Sequence, residues 1–457
     1  MAARLLDLLG QLPSVRAFIH SIAEDIRQRR SVMIFLPATI ERAWVWSLLD
    51  SELWRRQLLA ESVDLRHCAP DRTPVEILGE ALHVKWPAAS SREVASLAKS
   101  EGLPDVIVLE GIESLEPTLR NVWLRFIGQW AQVSQNLYES LAPPSVLCTL
   151  RQPGCLMSDH ADDESLFESN SNVRLALHWW WGFPSALEVR LLLRLAKSRR
   201  TRDGQDPRWE EHLLPALAGN DVLLLERLWS ANTIEEEQLL SCLHEFAQER
   251  GWTREKLREW GAVRPLRLNL RRNGSLPQSP PLNRRALWAQ GALCATEEYG
   301  IELHPAALHV LGWHSELDRR LWRGQAELLL PVLDSVRRDV CSYLTSLYGR
   351  DWPVKWAKPE HPDEETAVRA DPLACQWGYL EWLIRNCPQL ERERRWLSLI
   401  MSAARVRNDI AHYRHVSQSQ YEHVMEQYER FAHVAVTSAD VGLLQDVGEA
   451  DGDVLWN

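Results

Sequence analysis

Lysine is scarce in this 457-residue chain, which has six lysines against 46 arginines, and long hydrophobic runs are missing. Every apolar stretch falls well short of the ~18 residues that a transmembrane helix needs, so we expect no membrane span. The N-terminal segment lacks a basic region followed by an apolar core, so we expect no signal peptide. With 45% apolar and 25% charged residues, the chain also lacks the composition of a disordered protein.

Metal-binding spacings of cysteine are absent as well. No two of the eight cysteines are separated by two residues, and no Cys/His cluster has zinc-finger spacing. His304 and His309 bracket an apolar run without an acidic or thiol partner, so we expect no metal there. This pattern indicates reduced thiols and a cytoplasmic protein, for which we predict no metal and no cofactor.

The acidic balance argues against a generally basic, nucleic-acid-coating surface. The formal net charge is −11. Residues 440–457 alone contribute −5, however, whereas residues 391–430 hold seven arginines against six acids. The charge therefore permits a local RNA site in the second of these ranges. Tryptophan, at 22 residues, outnumbers phenylalanine and tyrosine together, and we interpret the excess as packing.

Five short apolar segments, separated by helix-length stretches, predict a parallel five-stranded sheet with helices on both faces in residues 1–200. The predicted strands are 31–37, 62–66, 104–111, 145–150 and 173–178. The remainder is predicted to be helical. The fold class is thus an α/β N-terminal domain followed by an all-α C-terminal bundle. We place a helical middle or linker region at 205–315, the bundle at 320–436, and an acidic, disordered tail at 437–457.

The predicted sheet resembles that of a P-loop NTPase that has lost its phosphate loop. The first strand leads into Leu36–Arg42, which has no glycine and no lysine, although a phosphate loop needs both. Glu110 and Glu113 follow the third strand like a Walker B segment, and Thr149 and Arg151 end the fourth, where such folds often keep a sensor. The resemblance implies a degenerate domain. We favour a scaffold or docking role, with ATPase activity unlikely; a nucleotide-sensing switch stays open.

One short segment contains candidate catalytic side chains, namely Arg407-Asn408-x-x-x-His412 at the end of an apolar helix. An Arg and a His at this spacing recur by chance, so the context matters. A long preceding helix at 328–344, a middle helix at 373–386, a motif helix at 390–412 and a closing helix at 418–435 are predicted around it. Together they resemble the HEPN superfamily, small helical bundles common in RNA processing and in prokaryotic conflict systems.

The resemblance implies a metal-independent endoribonuclease whose site is built across a homodimer, plausibly an antiviral or conflict-defence effector with RNA and protein partners. It assigns His412 as the general acid or base. Arg407 would stabilise charge on the phosphate, and Asn408 would orient the histidine or the phosphate. Asp409 would repel a phosphate unless Arg405, one helical turn earlier, neutralises it. The alternative is a non-catalytic adaptor in which both domains have lost their chemistry.

Overall fold

A computed structural model of the chain describes residues 5–86, 93–137, 143–151, 174–182, 185–197, 207–230, 236–265 and 277–446. The chain divides into two compact units. The first unit comprises Met1–Arg202, Ala218–Ala231 and Leu239–His314. The second unit comprises Asp203–Leu217, Asn232–Gln238 and Ser315–Asn457. Most of the predicted middle region at 205–315 falls in the first unit, and the remainder falls in the second.

The first unit is built on a five-stranded parallel sheet, as the sequence predicts. Its strands are β1 (Ser31–Leu36), β2 (Ala60–Asp64), β3 (Val106–Glu110), β4 (Ser145–Arg151) and β5 (Leu175–Trp179), in the order β2-β3-β4-β1-β5. Every residue of β1 is buried, as a strand covered on both faces requires. β2 lies at the edge and is mostly exposed. The second predicted strand therefore begins and ends two residues earlier than expected.

Helices connect these strands and continue beyond them. Around the sheet lie α1 (Leu5–Leu8), α2 (Pro13–Arg27), α3 (Arg42–Arg55), α4 (Pro74–Ala81), α5 (Val94–Ala98), α6 (Pro117–Leu137) and α7 (Ala186–Lys197). Further along are α8 (Pro207–Ala218), α9 (Val222–Ser230), α10 (Glu236–Glu249), α11 (Arg254–Glu259), α12 (Arg285–Ala289), the antiparallel hairpin of β6 (Leu293–Thr296) and β7 (Gly300–Leu303), and α13 (Pro305–Leu311). The backbone N–H of Ala38, just after β1, donates to the carbonyl of Ala289 in α12. This bond ties α12 to the end of β1.

An ion-pair cluster fixes α2 against β5. Asp25 accepts from His178 Nε2 at 2.8 Å and from Arg30 Nη1 at 2.6 Å, with all three side chains largely buried. Burial opposes ionisation of Asp25, but the hydrogen bond from His178 and the charge of Arg30 outweigh it. The pKa of Asp25 therefore lies below its ordinary value of 3.8.

The second unit is a helical bundle. Its helices after residue 314 are α14 (His314–Tyr348), α15 (Trp352–Lys355), α16 (Pro362–Ala370), α17 (Trp377–Asn386), α18 (Leu397–Ala411) and α19 (Gln418–Asp446). Trp209 of α8 stacks on Tyr421 of α19 with ring centroids 5.2 Å apart, so α8 also packs in this unit. α19 continues to Asp446, so part of the segment predicted to be a disordered tail is helical. Residues 447–457 lie outside the described residues.

The predicted motif helix at 390–412 is divided. Residues Pro388–Trp396 form a 3-10 helix, and the α-helix starts at Leu397. The 3-10 segment contains a buried carboxylate: Glu393 accepts hydrogen bonds from the hydroxyls of Tyr343 and Tyr348, both at 3.1 Å. Burial and the charge of Glu393 raise the pKa of Tyr348 to about 12. These two bonds hold the 3-10 segment against α14, directly before the start of α18.

Candidate functional site

The motif helix α18 buries one apolar face and exposes the other. Its buried side consists of Leu399, Ile400, Ala403, Ala404, Val406 and Ile410. The exposed side carries Met401, Arg405, Asn408 and His412. At 3.6 residues per turn these four positions fall within about 60° of one another. The resulting stripe, Met401-Arg405-Asn408-His412, is called the α18 face below.

The three residues that the sequence predicts for the site are all exposed at the C-terminal end of α18. Arg407 points away from the α18 face, about 140° around the helix from His412. Its guanidinium nevertheless reaches back, and Nη1 donates to the Asn408 side-chain oxygen at 3.2 Å. The structure thus brings Arg407 and Asn408 together. Within the described parts of the chain, no residue hydrogen-bonds the imidazole of His412.

Neutralisation of Asp409 by Arg405, the condition set by the sequence for phosphate binding, is not what the structure has. Asp409 lies instead within 3.4 Å of Arg414 Nη1, beyond the end of the helix. The reason is the turn after α18, which folds residue 414 back over the last helical turn through a bond from its N–H to the Asp409 carbonyl at 2.8 Å. Asp409 is therefore neutralised from the other side, and Arg405 stays available.

The turn after α18 has an unusual backbone. The N–H groups of Tyr413 and Arg414 donate to the carbonyls of Ile410 and Asp409, the bond pattern of a Schellman motif. That motif places its left-handed residue at position 413, which is usually glycine. Here it is Tyr413, with φ of +58°. A non-glycine residue in this conformation costs roughly 1–2 kcal/mol, so this turn stores strain next to His412.

Two residues of α14 support this turn. Trp322 donates its indole N–H to the carbonyl of Ile410 at 2.7 Å, and its ring lies 4.6 Å from that of Tyr413. Buried Gln325 accepts from the N–H of Val416 at 3.1 Å and donates to its carbonyl at 2.7 Å. Sequence reasoning missed both residues, because each lies about ninety positions away from its partner and carries no local signal.

The carboxyl edge of the sheet, where the P-loop resemblance places a nucleotide, holds an internal ion pair. Arg42, at the start of α3, lies 2.6 Å from Glu110 and 3.5 Å from Glu113. Arg151 donates to the carbonyl of Ala38, in the loop after β1, at 2.8 Å. The cations of this edge are thus paired with carboxylates and backbone oxygen of the chain itself.

A small cavity lies beside the same loop. It measures about 30 Å³ and is lined by Thr39, Trp180, Trp288 and Asp221, among others. This volume accommodates about one water molecule, whereas small-molecule sites usually measure roughly 300–1,000 Å³. Trp179 and Trp180 are buried, and Trp179 stacks on Phe35 with centroids 4.0 Å apart, so these tryptophans pack the core.

His304 has a structural role in its unit. It is fully buried, and its Nδ1 accepts from the N–H of Ala306 at 3.1 Å, which caps α13. Over the residues that the structure describes, no group of three or more His, Cys, Asp or Glu side chains has the arrangement to hold a metal ion. In the same residues, no helix combines the length and the apolar character of a membrane span.

Compared with known proteins, the chain matches no family model, no curated protein and no solved structure. The function therefore has to be argued from the geometry of α18 and its supports.

Proposed function

We propose that the chain is a metal-independent endoribonuclease of the HEPN type, with its site at the C-terminal end of α18. The observation that carries the proposal is the arrangement there. Asn408 and His412 share an exposed face, Arg407 reaches Asn408, and the intervening acid, Asp409, is neutralised by Arg414.

The proposed reaction is attack of an RNA 2′-hydroxyl on the adjacent phosphorus. The 2′-oxygen–phosphorus bond forms and the bond from phosphorus to the 5′-oxygen breaks. A base takes the proton of the 2′-hydroxyl, and an acid returns one to the leaving 5′-oxygen. The products are a cyclic phosphate and a 5′-hydroxyl. Histidine suits both transfers near neutral pH, and the guanidinium of Arg407 would stabilise the charge on the phosphate.

A second copy of the chain would complete this site. In one copy, Arg407 contacts Asn408 and lies about 140° around the helix from His412, so a phosphate cannot meet both through one helix face. Two α18 helices facing each other would offer two histidines, one as base and one as acid. The exposed C-terminal end of the α18 face, with Asn408 and His412, is available for such a homodimer contact.

The strained turn supports the same assignment. A residue other than glycine keeps a left-handed backbone conformation only where surrounding contacts hold it there, and such residues cluster at functional sites. Tyr413 follows His412 directly, and its side chain is 74% exposed. An exposed aromatic ring supported by Trp322 is suited to stack on an unpaired base.

The test is cleavage of end-labelled single-stranded RNA by the purified full-length chain in EDTA. We expect wild-type protein to leave a cyclic phosphate, and His412→Ala to lose cleavage by at least a hundredfold, the usual contribution of a positioned acid or base. His361→Ala is the matched control, because His361 is also an exposed histidine of the second unit. Equal cleavage by His412→Ala and wild type would refute the assignment.

For the first unit we propose sensing or docking of a protein partner, within an antiviral or conflict-defence system. The pairing of Arg42 with Glu110 favours this role over nucleotide chemistry. The same pairing also motivates the second candidate, a non-catalytic adaptor in which both units serve assembly. In that case His412→Ala would leave the activity of the whole system unchanged.

A further inference from the structure

A groove runs along the bundle between α18 and α19. It is open to solvent and measures about 600 Å³, within the usual range for ligand sites. Its lining includes Leu397, Met401, Ser402, Arg405, Gln420 and His423. Met401 is 43% exposed in the groove, which is a large exposed fraction for an apolar side chain.

The groove is electrostatically suited to an anion. None of the described residues that line it is acidic. Arg405 and His423 have no hydrogen-bond or ion-pair partner among the residues that the structure describes. Three other arginines of the bundle differ, because each pairs with an acid within four positions: Arg385 with Glu381, Arg394 with Glu391, and Arg430 with Glu426. An unpaired arginine and a histidine side by side favour a phosphate.

The groove and the candidate catalytic residues share one face of α18. Met401 and Arg405 belong to the same α18 face as Asn408 and His412. Arg405 precedes Asn408 by three residues, or about 4.5 Å along the helix axis, and His412 by about 10 Å. A ligand that filled the groove would therefore reach the catalytic pair without leaving this face.

The lining combines apolar and hydrogen-bonding surface. Leu397 and Met401 offer a surface to a planar ring, and the hydroxyl of Ser402 and the amide of Gln420 offer hydrogen bonds to its edge. On the basis of the proposed function, we infer that this groove binds one nucleotide of single-stranded RNA next to the scissile phosphate. Its base lies on Met401 and its phosphate between Arg405 and His423. Duplex RNA is excluded, because a stacked, paired base cannot enter.

The test is binding of a labelled single-stranded RNA oligonucleotide, measured by fluorescence anisotropy over a series of salt concentrations. All proteins are full-length and carry His412→Ala, so the RNA stays intact. We expect Arg405→Ala to weaken binding about tenfold. It should also reduce the slope of log affinity against log salt by about 0.7, the value for one phosphate contact on a single strand. His423→Ala should also weaken binding, because the imidazole contacts the phosphate in the proposed complex.

Arg430→Ala is the matched control, since Arg430 is an exposed arginine on α19 that pairs with Glu426. It should change affinity by less than about twofold. Met401→Glu provides a second variant at an exposed position, where folding is not at stake, and should abolish binding by placing a carboxylate in the groove.

Three results would overturn the inference. The first is unchanged affinity and salt slope in Arg405→Ala. The second is equal weakening by Arg430→Ala. The third is loss of a dimer in sedimentation by Arg405→Ala and Met401→Glu without an effect on RNA, which would assign the groove to a second copy of the chain.

The inference and the proposed function fail separately. If wild-type protein cleaves no RNA but the variants weaken binding as expected, the groove assignment holds and the catalytic one falls. If His412→Ala abolishes cleavage while the groove variants bind and cleave normally, the reverse is true.

Discussion

The indole N–H of Trp322 donates to the backbone carbonyl of Ile410 at 2.7 Å, across 88 positions of sequence. This carbonyl belongs to the last turn of α18 and also accepts from the backbone N–H of Tyr413 at 3.2 Å. One side chain of α14 thus adds a second hydrogen bond at the helix end that carries His412. The contact has consequences that can be measured.

Trp322→Phe keeps an aromatic ring beside Tyr413 and removes the donor to Ile410. We expect a loss of about 1 kcal/mol in the free energy of unfolding, the net value of one hydrogen bond. RNA cleavage should fall by more than the unfolded fraction explains, because the turn that carries His412 loosens. Urea denaturation and cleavage assays on the same preparations measure both effects. If the variant loses stability but its folded fraction cleaves RNA as fast as the wild type, the contact does not support the catalytic site.

Gln325→Met replaces a buried amide with an apolar side chain of similar size. It leaves the N–H and the carbonyl of Val416 without their partner. Each buried unpaired group costs about 1–3 kcal/mol, so the free energy of unfolding should fall by about 2–6 kcal/mol for the two groups. Gln376→Met, at an exposed position, is the control and should change stability little. Comparable unfolding midpoints for the two variants would contradict this account.

Tyr413→Gly and Tyr413→Ala both remove the ring that lies on Trp322, but only glycine adopts a φ of +58° without strain. The glycine variant should therefore be more stable than the alanine variant by about 1 kcal/mol. Because the ring is lost in both, RNA affinity should decrease equally. The difference between their urea midpoints measures the strain directly, and a more stable alanine variant would refute it.

Asp25→Asn tests the cluster between α2 and β5 through its pH dependence. The pKa of Asp25 is lowered in the folded state, so its ion pairs stabilise the protein above pH 3.8, and this contribution is lost as the pH falls through the lower, folded value. The variant should lose about 1–3 kcal/mol at pH 7 and differ progressively less from wild type below pH 4. Asp50→Asn, at an exposed position of α3, is the control. A pH-independent difference would show that charge is not its cause.

Calorimetric titration with ATP or GTP and magnesium tests the sheet edge. We expect no heat of binding. The cation that would meet a phosphate, Arg42, is held by Glu110 and Glu113, and the neighbouring cavity accommodates about one water molecule. Measurable binding would revive the nucleotide-sensing switch, and Arg42→Ala would then show whether this arginine takes part.

The strands could be predicted because their signal is local. β1 and β3 are runs of branched apolar residues, and burial of both faces leaves no polar position in their interiors to interrupt the pattern. The predicted bounds of β2 are wrong by two residues, because its exposed positions carry polar side chains of the kind that are common in loops. The candidate motif residues are likewise identified by a local pattern, namely their spacing at the end of an apolar helix.

The supports of the site could not be predicted, because they depend on tertiary contacts. The 3-10 segment before Leu397 holds Glu393, which bonds two tyrosines of α14 about fifty positions away. Asp409 pairs with Arg414 and not with Arg405 because the chain turns back at Tyr413. The left-handed conformation of this tyrosine is not favoured by its local propensity, so the turn could not be predicted. Periodicity described the helix correctly but not the turn that follows it.

The bonds from Trp322 and Gln325 also set an order of events during synthesis. Both residues leave the ribosome about ninety positions before Ile410 and Val416, so the turn after α18 gains its supports only when the intervening loop has closed. A nascent or truncated chain that stops short of Val416 lacks the reciprocal bonds of Gln325. The turn that follows His412 therefore gains its full set of supports only after residue 416 has been synthesised and has met α14.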